Sequence, residues 1–147
     1  MTLHIKQTEG PPTPPNQSKD IFTHIVVEQT ATAGLKGTTE RRCLDWTPRE
    51  HSDWMFGKCA GKSKWIAAAD ITDPYLKEGW EEGEAENTGV GGVSHIQSLV
   101  ESIDNGWTAE QIWGFQVVGG ERHYTRNIIV EKGDERVTIR LVYDYYP

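Results

Sequence analysis

The chain of 147 residues has two cysteines, two methionines and no apolar run approaching the roughly 18 residues of a membrane span. Cys43 and Cys59 make no disulfide framework and lack the spacing of metal ligands, which leaves them as free thiols. Basic residues are few: 15 Lys and Arg stand against 22 Asp and Glu, a formal charge of −7, with no basic cluster. That balance removes most of the attraction on which nucleic-acid and anionic-membrane binding rest, so neither partner is expected. Also missing are the P-loop, the Gly-x-Gly-x-x-Gly turn, the Gly-x-Ser-x-Gly elbow, His-Glu-x-x-His and Cys-x-x-Cys. Without them no cofactor and no metal is expected. Met1 to Lys6 run straight into Gln7, Thr8 and Glu9, with neither an apolar signal segment nor an Arg-rich transit pattern, which predicts a cytoplasmic protein.

Against these absences stands an aromatic load of six Trp, five Tyr and three Phe, more than the core of one small domain needs. Residues 10–20 (GPPTPPNQSKD) carry four of the seven prolines, a composition that favours an extended, solvated segment. Residues 1–20 therefore read as a flexible Pro-rich arm and residues 21–147 as a single domain.

Three turn dipeptides divide the C-terminal third: Asn105-Gly106, Gly119-Gly120 and Lys132-Gly133. Read as two-residue hairpin loops, they set Ser98 opposite Trp113, Trp113 opposite Arg126, and Arg126 opposite Ile139. One face then carries Ile96, Ser98 and Val100, then Gln111, Trp113, Phe115 and Val117, then Tyr124, Arg126 and Ile128, and last Val137, Ile139, Leu141 and Tyr143. The other carries His95, Gln97, Glu110, Gln116, His123, Thr125, Asn127, Arg136, Thr138 and Arg140. Apolar and polar residues separate with the period of a sheet that has one buried side and one solvated side. Residues 94–104 fit a helix as well as a strand, because Ile96, Leu99, Val100 and Ile103 follow a helical stripe and the strand pairing sets Glu101 against Glu110.

Upstream, residues 51–66 read as a hairpin around Ala60-Gly61, with His51, Asp53, Met55 and Ile66 on one face and Trp54, Phe56 and Trp65 on the other. Either face can point inward. Residues 21–30 read as a strand with Ile21, Thr23, Ile25 and Val27 inward, and Asp73-Pro74 caps a short helix ended by Gly79. Residues 81–92 read as an acidic, Gly-rich loop. About seven or eight strands fill the domain, and a lone four-stranded sheet does not cover its own apolar face. The expected fold is therefore mainly β: an antiparallel up-and-down barrel with one short helix, or a sandwich. Sequential hairpins, a short helix and an aromatic interior resemble the calycin, or lipocalin-like, barrels, although Gly61, Lys62, Ser63, Lys64 and Trp65 do not match the Gly-x-Trp spacing of lipocalins. What the resemblance implies is a central cavity for a small apolar ligand.

Arg126 projects from the apolar face across from Trp113, where a guanidinium is costly unless it is paired or stacked. It reads either as an anchor for a ligand's carboxylate, enolate or phenolate, or as a structural arginine stacked on Trp113 and paired with a buried carboxylate. If their face is the inner one, His51 and Asp53 form a histidine–carboxylate pair suited to general acid or base work. Trp113, Phe115, Tyr124 and Tyr143, with Gln111, Ser98 and Trp65, are the expected ligand-binding residues. Together these residues point to an enzyme without cofactor, of the isomerase, cyclase, dehydratase or lyase type, acting on a small hydrophobic or aromatic molecule. A non-catalytic carrier with the same cavity and an interaction module with surface tryptophans are the competing readings.

Overall fold

The computed structural model describes residues 1–32, 37–53, 56–81 and 95–145, apart from the side chain of Asp53. In chain order the elements are β1 (Thr2–Gly10), β2 (Phe22–Thr30), β3 (Thr38–Cys43), β4 (Arg49–Asp53), β5 (Gly57–Ile66), a 3-10 turn (Ala68–Asp70), α1 (Pro74–Lys77), β6 (Trp80–Glu81), β7 (His95–Ser102), β8 (Thr108–Val118), β9 (Glu121–Lys132) and β10 (Glu135–Tyr143). The fold is mainly β with one short helix, and every strand pairing is antiparallel. A three-stranded sheet, β1-β2-β3, faces a seven-stranded sheet in the order β10-β9-β8-β7-β5-β4, with β6 added to β8. Among the described residues neither sheet closes into a barrel, and no helix is long and apolar enough to cross a membrane.

The chain passes between the sheets at residues 44–46. Leu44 still donates its N–H to Thr23 on β2, at 2.9 Å, and Trp46, at φ 56°, donates to Ser63 on β5 at 2.8 Å. The sheets are thus bonded to one another on that side, whereas among the described residues β1 and β10 are unpaired edges on the other.

Of the three expected turns, Gly119-Gly120 forms as read, both glycines at positive φ, and it sets Trp113 opposite Arg126. The other two slip. Residues 103–107 make the β7–β8 connection, with Ser102 N–H bonded to the Trp107 carbonyl, so Ser98 faces Gln111 and Ile96 faces Trp113. The slip takes Glu101 away from Glu110 and lets Gln97 donate to Glu110 at 2.7 Å, which removes the like-charge cost and settles this segment as a strand. At the last turn Gly133 and Asp134 form the loop, so Arg126 faces Leu141 and not Ile139. Each slip moves a partner by two residues. Two residues is a full side-chain period, and the face of every residue survives.

Larger corrections lie upstream. Residues 2–10, expected within the arm, pair with β2 along their whole length. The segment that follows is held too: Asp45, its side chain fully buried, accepts from Arg49 Nη1 and Nη2, each at 2.8 Å, and from Asn16 Nδ2 at 2.9 Å, while Arg49 also donates to the carbonyls of Thr13 and Pro14. The Ala60-Gly61 hairpin does not form. β5 runs through it and the reversal falls before Gly57, so His51 faces Cys59, and Trp65 shares the intersheet face with Ser63. Trp54 and Met55 lie outside the described residues, as does nearly all of the loop read over 81–92.

The large sheet is covered on both sides. Ile25, Val27 and Leu44 pack against Trp113, with Trp65, Ile96 and Tyr124, between the sheets. On the face expected to be solvated, Ile66, Ile112 and Ile129 meet Ile71 and Leu76, and Thr125 and Asn127 are fully buried. Asp73 caps α1 as read, accepting from Tyr75 and Leu76 N–H groups, and the helix plants Leu76 on this outer core. Gly114 leaves room for the covering layer, since a Cβ there would stand 2.7 Å from His95 Nδ1 and 2.9 Å from the Trp80 ring.

Burial alone pushes the Asp45 carboxyl upward, but the bonds from Arg49, Asn16 and the Thr47 N–H outweigh it and hold the group well below the usual carboxylate range. The stability this supplies is complete above the unfolded pKa of roughly 4 and is lost as the pH falls further. Asp45→Asn is expected to cost about 1–3 kcal/mol at pH 7 and to shrink the fall in stability on going to pH 3. Urea midpoints of both chains at the two pH values check this.

Candidate active site

The site grows from the ladder that joins β8 and β9. Arg126, 5% exposed, leaves β9 on the intersheet face and lays its guanidinium over the Trp113 ring, 3.9 Å from the centroid. Its Nε donates to Tyr124 Oη at 3.0 Å, and its Nη1 donates to Glu40 of β3 at 3.2 Å. Burial opposes the charge, but Tyr124 and Glu40 overcome it and leave the Arg126 pKa above its ordinary value, so the group is a cation. Arg42 shares Glu40, with Nη2 3.5 Å from Oε2. Burial and the neighbouring Arg126 draw the Arg42 pKa down against the pull of Glu40.

Aromatic rings surround this layer. Tyr124 packs edge-on against Phe115, with centroids 6.0 Å apart, and tilted against Tyr143 at 5.2 Å. Trp113 Nε1 donates to Gln111 Oε1 at 2.9 Å. Trp65 Nε1 donates across the sheets to Thr23 Oγ1 at 3.0 Å, and that hydroxyl donates to Glu9 at 2.8 Å. Each indole is therefore oriented by a hydrogen bond at its polar tip while its ring lies in the apolar layer. Burial pushes the Tyr124 phenol up to about 12 although Arg126 pulls the other way, and it raises Tyr143 as well. Both stay neutral phenols at physiological pH.

Two cavities open between the sheets. The first, about 1150 Å³, is walled by Trp65, Ile96, Trp113, Phe115, Tyr124 and Tyr143, and closed on the far side by Leu3, Ile5 and Ile25. The second, about 1040 Å³, includes Glu40, Arg42, His51, Ser63, Gln111 and Ile128. Among the described residues none lines both. Arg126 joins them, since it touches Trp113 in one wall and Glu40 in the other.

Trp113, Phe115, Tyr124, Tyr143 and Trp65, expected as ligand-binding residues, come together in the first cavity. Gln111 lines the second, and Ser98 is buried on the same face at 1% exposure. His51 is exposed on β4 at the second cavity, away from the aromatic wall. Asp53 lies opposite Gly57 in β4, and its side chain is outside the described residues. Glu40 and Arg42 were missed. They alternate along β3 without an apolar residue between them, so no period-two pattern marks an inward face there. The one signal available was Arg126 itself, because a buried guanidinium requires a carboxylate.

Over 125 residues the chain is 32% identical to Pericyclase pydY of Acremonium sp, a match that covers 84% of this chain and 63% of that protein. It is 33% identical over 126 residues to Probable pericyclase scpY of Mollisia scopiformis, with 84% and 62% covered. The chain thus spans less than two thirds of the length of these curated relatives. No protein-family model and no solved structure matches it.

An unfolded tyrosine ionises near pH 10, whereas Tyr124 in the fold resists to about 12. The stability tied to this difference is whole below the unfolded value and lost as the pH rises through the folded one. Tyr124→Phe should therefore lose less stability than the native chain between pH 8 and pH 11, by about 1 kcal/mol. Chemical denaturation of both chains at the two pH values reads the difference.

Proposed function

We propose that the chain is a cyclase of the pericyclic type, acting without cofactor on a small hydrophobic molecule that carries a polyene or aromatic segment. The observation that carries this reading is the first cavity, an aromatic chamber with a cation-backed phenol in its wall; the names of the two relatives support it. In a pericyclic step the electrons move round a closed ring of substrate atoms, with no redox equivalent and no net proton exchanged. The protein's part is then to hold the reacting carbons in a near-attack geometry, roughly 3–3.5 Å apart, and to favour the charge that develops in the transition state.

Trp65, Trp113, Phe115, Tyr124 and Tyr143 supply the first task, folding a flexible substrate against rigid rings. The cavity, about 1150 Å³, is ample for a drug-sized molecule. Tyr124 supplies the second. Its oxygen accepts from Arg126 Nε, which leaves the phenolic hydrogen free to donate to a substrate carbonyl, and the cation behind it strengthens that donation. Arg126 is the anchor, and the two facing sheets serve as the barrel-like enclosure that the calycin resemblance implies. His51 and Asp53 take no part in such a step, since no proton has to be removed.

Ring closure of a panel of linear triene–dienophile chains, followed by loss of polyene absorbance and by the stereochemistry of the product, tests the proposal. The native chain should give a single stereoisomer. Tyr124→Phe should lower kcat about 10- to 100-fold with little change in KM, as expected for a donor that acts mainly in the transition state. Binding of these compounds without acceleration of any of them would mark a carrier and overturn the reading.

A further inference from the structure

The intersheet face holds more hydrogen-bonding capacity than the protein itself uses. Ser63 of β5 and Ser98 of β7 are directly opposed across their ladder at 2% and 1% exposure, and neither hydroxyl has a partner among the described residues. Ser98 stands opposite Gln111 on β8, the side chain that accepts from the Trp113 indole, so the two hydroxyls lie one rung from the Trp113–Arg126 pair. At that pair Arg126 Nη2 is buried without an acceptor among the described residues, and on the facing sheet so is Arg42 Nε. A buried polar group left unsatisfied costs about 1–3 kcal/mol, and more where it is charged. Four such groups gathered between the two sheets form a site whose ligand brings the missing acceptors.

The charges point the same way. Arg42 and Arg126 share the single carboxylate of Glu40. Asp45 is committed to Arg49, and Glu50 lies 3.4 Å from Lys58. Around Glu40 two guanidiniums therefore share one acid, and a ligand with one negative charge brings that cluster to neutrality. A guanidinium edge matches a pair of oxygens better than a point charge does.

We infer that this layer seats an oxyanion: the molecule held in the aromatic cavity is an amphiphile whose ionised end, a carboxylate or an enolate with its charge shared over two oxygens, accepts from Arg126 Nη2 and Arg42 Nε. The hydroxyls of Ser63, which lines the second cavity, and of Ser98 opposite it bond the same end. The inference deepens the proposed function and rests on the aromatic cavity being the substrate chamber. It places the acidic end of the substrate beside Glu40 and its apolar body against Trp113 and Tyr124.

The full chain is titrated with cis-parinarate, a polyene carboxylate that fluoresces in apolar surroundings, and with its methyl ester. At neutral pH the acid should bind at least 10-fold more tightly than the ester. Arg42→Gln should bring the two affinities to within about 2-fold of each other while ester binding is retained. The double variant Ser63→Ala, Ser98→Ala should weaken acid binding several-fold with a melting temperature at or above the native one, because it deletes two unsatisfied hydroxyls. It also keeps the inference testable if Arg42→Gln does not fold. Equal affinities for acid and ester, no binding of the acid, or a ratio untouched by both variants would overturn the anion seat. Turnover enters none of these readings. A chain that prefers the acid yet closes no ring would sink the pericyclic proposal alone, and ring closure with equal acid and ester binding would sink the anion seat alone.

Discussion

The structure depends on how it accommodates one buried charge. An arginine side chain at 5% exposure in the middle of a β-sheet face is tenable only if other groups replace the water it has lost. Here they come from both sheets: the Trp113 ring beneath it, the Tyr124 oxygen at its Nε, and the Glu40 carboxylate reaching from β3. Because the last of these lies on the opposite layer, the guanidinium ties the sheets together at a distance that hydrophobic contacts alone would leave free. The cavities on either side follow from that spacing. They are the spaces that remain when two sheets of unequal width are held apart by a charged bridge, with aromatic rings filling only part of the gap.

The outer core lends the site its rigidity. Strand β8 carries Gln111, Trp113 and Phe115 toward the cavities and Ile112, Gly114 and Gln116 the other way, and all three of the latter are buried. Gln116 accepts from Thr125 and donates to the Glu78 carbonyl, and Trp80 donates to the Leu76 carbonyl, so the short helix and β6 are fastened to the back of the strand that orients the indole. A strand clamped on both faces cannot rotate its side chains without disturbing two cores. That is the kind of support a site needs if its rings are to hold a substrate in one conformation.

Much of this was legible in the sequence because it depends on parity. The turn dipeptides placed two of three hairpins a full period out of register, yet Trp113, Arg126, Tyr124 and Tyr143 fell on one face regardless, since an even slip leaves every face unchanged. The partners of Arg126 were another matter. Glu40 reaches it across a sheet-to-sheet gap, and nothing local to β3 encodes that distance. The outer core was missed for a related reason: Thr125, Asn127 and Gln116 read as solvated, but polar residues can be buried when hydrogen bonds satisfy them, and the bonds from Gln116 to the Glu78 carbonyl and from Asn127 to the Tyr75 carbonyl reach an element distant in the chain. Likewise the N-terminal segment looked like an arm because its prolines dominate the composition, whereas the alternation of Leu3 and Ile5 with His4 and Lys6 was enough to make an edge strand. The groups that hold this segment are distant too: Asp45, which accepts from Asn16, lies 29 residues away from it, and Arg49 reaches back to the Thr13 and Pro14 carbonyls.

The unpaired edges of β1 and β10 give the first cavity walls of unequal stiffness. On one side stand the central strands of a wide sheet, bonded to neighbours left and right and backed by a second core. On the other stands the outer strand of a hairpin, bonded along one edge only, with Ile5 half exposed. Local stability follows the number of neighbours a strand has, so widening the chamber at β1 is far less costly than at β8. Shape discrimination is therefore strict where a ligand meets the indole and phenol, and lenient along its opposite flank, where bulk of different sizes can be tolerated without loss of register at the reacting end.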